Sequence, residues 1–121
     1  MPNFVGWNGY YQAIGRERDG ELVGAVVYTN ASPRNVITSI VLQEPMTRRF
    51  LHAVFWYPFE QLKVARLTAT VEEWNTKSLL FCKHVGFRVE GRLREAASDG
   101  GDVILMGLLR RHCRWLKIPC V

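Results

Sequence analysis

Along the first half of the chain, apolar runs bounded by turn residues predict β-strands before the pattern turns helical. Segments 10–17 and 21–29 are rich in aromatic and branched side chains. Asp19-Gly20 between them signals a tight hairpin turn, because both of its central positions need a positive φ. The stretch 30–34, which contains Ser32-Pro33, predicts a loop. After it, 36–42 predicts a mostly apolar strand, the pattern of a strand covered on both sheet faces. Over 46–62 the period lengthens, and Phe50, Leu51, Val54, Phe55, Phe59 and Leu62 fall on one helical stripe. Pro58 interrupts it. A proline there removes a backbone donor and crowds the preceding turn, so the helix should bend near 54–58 or end early.

The strand period returns at 65–74. Asn75 is then a good N-cap for a helix over 76–85, and Gly86 is placed as its left-handed stop. Segments 87–95 and 103–109 read as two further strands, joined by the turn Ser98-Asp99-Gly100-Gly101. The order is hairpin, strand, helix, strand, helix, hairpin. Its central strand–helix–strand unit demands a right-handed crossover and one parallel pair. The flanking hairpins make the remainder antiparallel. The pattern therefore predicts a mixed, mostly antiparallel α/β sheet in a single domain spanning 1–121.

Composition narrows the class. The 121 residues are 48% hydrophobic and only 22% charged, which fits a packed core and argues against disorder. No stretch approaches the roughly 20 apolar residues that cross a bilayer. The start, Met1-Pro2-Asn3-Phe4, has no basic segment followed by an apolar run, so a cytoplasmic location is expected. Cys82, Cys113 and Cys120 are odd in number and form no Cys-x-x-Cys pair, while His52 and His84 lie far off. Reduced thiols and no metal site follow.

A net charge of +5 favours an anionic partner: nucleic acid, an acidic protein or a polyphosphate cofactor. Much of that charge lies in 110–117, which reads as a solvated C-terminal turn. Single-stranded nucleic acid would need Trp7, Trp56, Trp74 and Trp115 exposed beside it. They are scattered through predicted strands and helices, where core packing is the commoner fate, so nucleic acid is not the expected partner.

The most informative segment runs from Asn75-Thr76-Lys77-Ser78 to Gly86-Phe87-Arg88-Val89-Glu90-Gly91. It resembles the second cofactor motif of the GNAT superfamily of N-acetyltransferases, in which Asn-x-x-Ser or Asn-x-x-Ala opens a helix ending in Gly-Phe. The trailing Glu90-Gly91-Arg92-Leu93-Arg94 resembles the ribosomal-protein N-acetyltransferase subgroup. A plain capped helix would supply the Asn and the Gly, but not the Gly-Phe-x-x-Glu-Gly as well. The resemblance covers about 20–116. It implies a sheet whose central parallel strands, 36–42 and 65–74, splay apart, and a chain lacking the family's usual first strand and helices. By the same resemblance, the chain moves an acetyl group from acetyl-CoA to a primary amine by direct attack, with the pantetheine arm in the gap.

The resemblance also implies roles. Backbone near Val41, Leu42 and Gln43 would hold the arm, and Asn75 would bond it from the other side, unless it serves only as a cap. The family's glycine-rich pyrophosphate loop falls on Gln43-Glu44-Pro45-Met46-Thr47-Arg48-Arg49, with Pro45 and Thr47 in place of glycines. Thr47 is a potential helix cap. Arg48 and Arg49 either bring two cations to the pyrophosphate or are simply exposed. Where many relatives keep a tyrosine acid the chain has Cys82, read as a small core residue, and Ser78 aligns with the subgroup's serine acid. Glu72 and Glu73, at the end of the second cofactor strand, are the candidates for the base. Two readings stay open beside the enzyme: a catalytically silent acyl-CoA-binding module, and a homodimer whose partner completes the acceptor wall. The acceptor itself is left open among a protein N-terminus, a lysine, an aminoglycoside-like amine and a small metabolite.

Overall fold

A computed structural model describes residues 3–7, 11–42 and 46–117. It contains seven strands, β1 (Asn3–Trp7), β2 (Tyr11–Arg18), β3 (Glu21–Thr29), β4 (Asn35–Leu42), β5 (Arg66–Glu72), β6 (Arg88–Leu93) and β7 (Val103–Leu109). Helix α1 (Arg48–Trp56) lies between β4 and β5, and α2 (Thr76–Val85) between β5 and β6. The strands form one sheet in the order β1-β2-β3-β4-β5-β7-β6, antiparallel everywhere except at the β4–β5 pair. That single parallel pair is the crossover the sequence demanded.

Local chemistry explains most boundaries. Asp19 and Gly20 take φ values of 53° and 82°, the conformation that lets a two-residue turn follow the twist of β2 and β3. Asn75 caps α2 by accepting from the Ser78 amide, and Gly86, at φ 120°, stops it. Although the resemblance implied that the family's first strand is missing, a strand, β1, does precede the hairpin and pairs with β2. Residues 8–10, between the two, lie outside the described residues.

Side chains from Val36, Leu67, Ala69, Met106 and Leu108 build the core with Phe50, Val54 and Phe55 of α1 and Cys82 and Val85 of α2. Both helices feed this one cluster, so both lie on the same face of the sheet. Burying such side chains is the main favourable term in holding the domain together.

The expected 46–62 helix changes its winding at Pro58. After α1 the chain makes a π turn, Tyr57–Gln61, in which Leu62 N–H donates to the Tyr57 carbonyl five residues back. In an α-helix the Val54 carbonyl would accept from residue 58, but proline has no N–H. The Tyr28 hydroxyl from β3 donates to that carbonyl instead. Burial pushes the Tyr28 hydroxyl pKa well up, so it remains a donor.

The basic C-terminal stretch forms short turns whose Arg110, Arg111, His112 and Arg114 are exposed, as expected, and two of these arginines are also fastened to helix ends. Arg110 donates to the Phe59 carbonyl and pairs with Glu60 at 2.7 Å. Arg114 donates to the His84 carbonyl at 2.6 Å, and the buried Trp115 indole to the Val85 carbonyl at 2.7 Å. These carbonyls are among those a helix leaves unpaired at its C-terminus, where cations are also favoured. Of the tryptophans expected to pack, Trp115 is buried, whereas Trp56 and Trp74 are 45% and 55% exposed and the side chain of Trp7 lies outside the described residues. No helix among the described residues is long and apolar enough to cross a membrane.

Tyr28→Phe removes the buried hydroxyl that donates to the Val54 carbonyl. It is expected to lower the stability read from urea unfolding by about 1–3 kcal/mol. An unchanged midpoint would contradict the role given to the hydroxyl.

Candidate functional site

The parallel ladder between β4 and β5 is short. Its register runs Asn35↔Arg66, Val36↔Leu67, Ile37↔Thr68 and Thr38↔Ala69, and there it stops. Both strands continue. Residues 39–42 still pair with β3, from Val27↔Ser39 to Gly24↔Leu42, and 70–72 with β7, from Thr70↔Leu105 to Glu72↔Val103. Each strand keeps its outer neighbour and loses its inner one, so a gap opens in mid-sheet toward the carboxyl ends. Backbone groups facing that gap have no strand partner, and such groups require one from elsewhere. Below the gap the strands are held together by the Thr68 hydroxyl, which donates to the Asn35 side-chain oxygen at 2.7 Å. Arg66 donates to Thr68 and pairs with Glu90 at 2.7 Å, tying in β6.

Both helices begin where these strands end, so two helix N-termini flank the mouth. Each carries unpaired amides and a partial positive charge, the arrangement that receives anions at the carboxyl ends of sheet strands. Thr47 caps α1, its hydroxyl accepting from the Phe50 amide at 3.1 Å, and Arg48 and Arg49 in the first turn are exposed. No acidic residue occupies that turn. On the far side Asn75 and the half-buried Ser78 open α2. Val41, on the β4 border of the gap, is 62% exposed despite being a strand valine. Leu42 ends β4, and Gln43, Glu44 and Pro45 lie outside the described residues.

The predicted acid–base residues fall into two groups. Cys82 is buried in the core, and burial pushes its thiol up to about 11. It packs and does not titrate near neutrality. Glu72 accepts from the Ser98 amide and, at 3.1 Å, from the Ser98 hydroxyl. These bonds hold its carboxyl below the usual range. Glu73 pairs with Arg92, which also donates to Asp102 at 3.1 Å. Both carboxylates therefore brace the loop between β6 and β7 as a rim beside the gap. Glu72 is only half-buried and Glu73 is exposed, so neither is secluded from water as a dedicated base would be. No group of three or more His, Cys, Asp or Glu among the described residues is placed to hold a metal ion.

Sequence reasoning missed Thr38. Its side chain is buried at 1% exposure on the last paired rung, and its hydroxyl has no hydrogen-bond partner among the described residues. The available signal was a threonine in an otherwise apolar strand, in the same alternating set as Val36 and Ile40.

The Glu72 bonds give a pH expectation. A folded pKa below the unfolded one means that the bond stabilises above the ordinary carboxylate pKa of about 4 and is lost as the pH falls through the lower folded value. The Ser98 amide resonance should therefore titrate with a midpoint below that ordinary value. A midpoint at or above it would contradict the bond.

No protein-family model matches the sequence, and no curated protein matches it. Solved structures do match in fold. The N-acetyltransferase PseH of Campylobacter jejuni, in complex with acetyl coenzyme A, superposes with a TM-score of 0.68 at 18% identity, over 85% of this chain and 70% of that one. The spermidine N-acetyltransferase of Vibrio cholerae, in complex with CoA and spermine, gives 0.73 at 19% identity, over 86% and 68%. This chain shares the fold of those N-acetyltransferases.

Proposed function

We propose that the chain is an acyl-CoA-dependent N-acyltransferase that moves an acetyl group from acetyl-CoA to a primary amine. The observation that carries the reading is the gap between β4 and β5, opened by lost pairing on the fold of proteins whose structures hold acetyl coenzyme A or CoA. The residues present fit that ligand. Unpaired backbone along 39–42 offers an extended chain the partners of a missing strand, and the mouth is cationic. Val41, Leu42 and Gln43 would hold the pantetheine arm by backbone, with Asn75 opposite. Thr47, Arg48 and Arg49 would hold the phosphates through first-turn amides and guanidinium groups.

The bound thioester supplies an electrophilic acyl carbon and a thiolate leaving group. Ser78, half-buried in the first turn of α2, holds a proton on Oγ within the flanking wall and is our candidate donor to the departing sulfur. Glu72 and Glu73 stand at the end of β5, on the rim we assign to the incoming amine. Bonded to Ser98 and Arg92, the two carboxylates would attract an ammonium and take up its proton through water. The spermine bound by the Vibrio cholerae protein makes a polyamine a reasonable first acceptor to try. A second reading, a silent acyl-CoA-binding module, is favoured by the same two carboxylates, since both are already bonded and neither is placed as a dedicated base.

Calorimetric titration with acetyl-CoA, followed by thiol release across a panel of amines, tests the reading. Binding with turnover supports the enzyme; binding without thiol release leaves the module; no binding removes both. In the active protein, Ser78→Ala is expected to lower kcat about 100-fold while leaving acetyl-CoA affinity unchanged. Equal kcat values would remove Ser78 from the chemistry.

A further inference from the structure

Three buried side-chain atoms lack a hydrogen-bond partner among the described residues: Gln12 Oε1, Thr38 Oγ1 and His52 Nδ1. Only Thr38 sits on a strand that borders the gap. It occupies the last rung of the β4–β5 ladder, opposite Ala69 on one side and Tyr28 on the other. Its position is therefore the closed end of the gap. The Tyr28 hydroxyl donates to the Val54 carbonyl and makes no hydrogen bond with Thr38. Ala69 leaves the gap side of Thr38 bordered by the smallest side chain other than glycine.

A hydroxyl buried without a partner destabilises the free protein relative to an isosteric methyl. Valine is nearly the same shape and already occupies position 36 on the same strand face. A threonine retained at Thr38 in these surroundings has the chemistry of a group that acquires its partner from a ligand. The geometry says which part of the ligand arrives there. Phosphates collect at the helix N-termini at the mouth, and residues 39–42 at about 3.3 Å each set the closed end roughly 13 Å away. What reaches Thr38 is the end of the ligand remote from the phosphates, which is the acyl thioester.

We propose that the Thr38 hydroxyl donates a hydrogen bond to the acyl carbonyl oxygen, so that the site distinguishes an acylated thiol from a free one at this residue. The inference rests on the function proposed above and assigns its acyl-recognition group. It involves no covalent step. Thr38 is a binding residue for the acyl oxygen, which free CoA lacks.

The test uses Thr38→Val and Thr38→Ser in the full chain, with two readouts that need no turnover. In the ligand-free protein, Thr38→Val should raise Tm by about 3–6 °C, because a methyl replaces an unpartnered hydroxyl. By calorimetry the same variant should bind acetyl-CoA about 10-fold more weakly and CoA as the unaltered chain does. Thr38→Ser keeps the hydroxyl and should keep the preference for the acylated ligand. If Thr38→Val lowers Tm, the hydroxyl has a structural partner such as a trapped water, and the proposal is overturned. If it weakens both ligands equally, or neither, the acyl oxygen is not what Thr38 reads, and the proposal falls while the function stands. An unaltered chain that binds neither ligand removes the function and the proposal together.

Discussion

The structure turns on a backbone obligation left unmet. Strand amides and carbonyls need partners, and a strand in mid-sheet normally finds them on both sides. β4 and β5 do so for four rungs and then separate, while each remains laddered to its outer neighbour. The separation is therefore a local feature of a continuous sheet, fixed between two rigid half-sheets. The Asn35–Thr68 and Arg66–Glu90 bonds close the foot, and the carboxyl ends are left to open. A parted strand pair presents polar backbone at a spacing only an extended molecule can match, which is why the gap reads as a site for a chain-like ligand.

The rest of the fold keeps the walls of that gap in place. α1 and α2 each start at the mouth, and their far ends are held by long-range contacts. Pro58 forces the chain after α1 into a π turn, and the freed Val54 carbonyl is met by Tyr28 from β3. Arg110 and Arg114 fasten the Phe59 and His84 carbonyls, and Trp115 that of Val85, so one C-terminal segment ties the ends of both helical segments. Glu72 and Glu73 perform a similar service at the rim through Ser98 and Arg92. Several ionisable groups around the gap are thus used to brace it, and the exposed cationic side chains in the helix first turns at the mouth are Arg48 and Arg49 of α1 and Lys77 of α2.

Much of this could be read from local sequence, where the cause is local. Asp19-Gly20 specified the hairpin, and Asn75 with Gly86 specified both ends of α2, because turn and cap geometry depend on a few adjacent residues. Pro58 announced a disturbance of the helix but not its outcome, since the rescuing hydroxyl lies 26 residues away. The basic tail is exposed as its sequence suggested, but its carbonyl partners lie 30 or more residues back and were not legible. Strand β1 escaped because its pairing with β2 is irregular and its period weak. The parting of β4 and β5 has no local signature, and it came from the resemblance carried by 75–91. Glu72 and Glu73 were placed at the right strand end, yet their commitments to Ser98 and Arg92 are tertiary and invisible in the sequence. Thr38 was visible as a threonine, but only register shows it at the end of the gap.

Amide hydrogen exchange along β4, with and without acetyl-CoA, tests the central claim most directly. The account predicts that amides within 39–42 that point away from β3 exchange fast in the free protein and slow markedly with ligand, while those of 36–38 are protected throughout. Uniform protection along β4 in the free protein would contradict it, as would rates in 39–42 that ligand leaves unchanged.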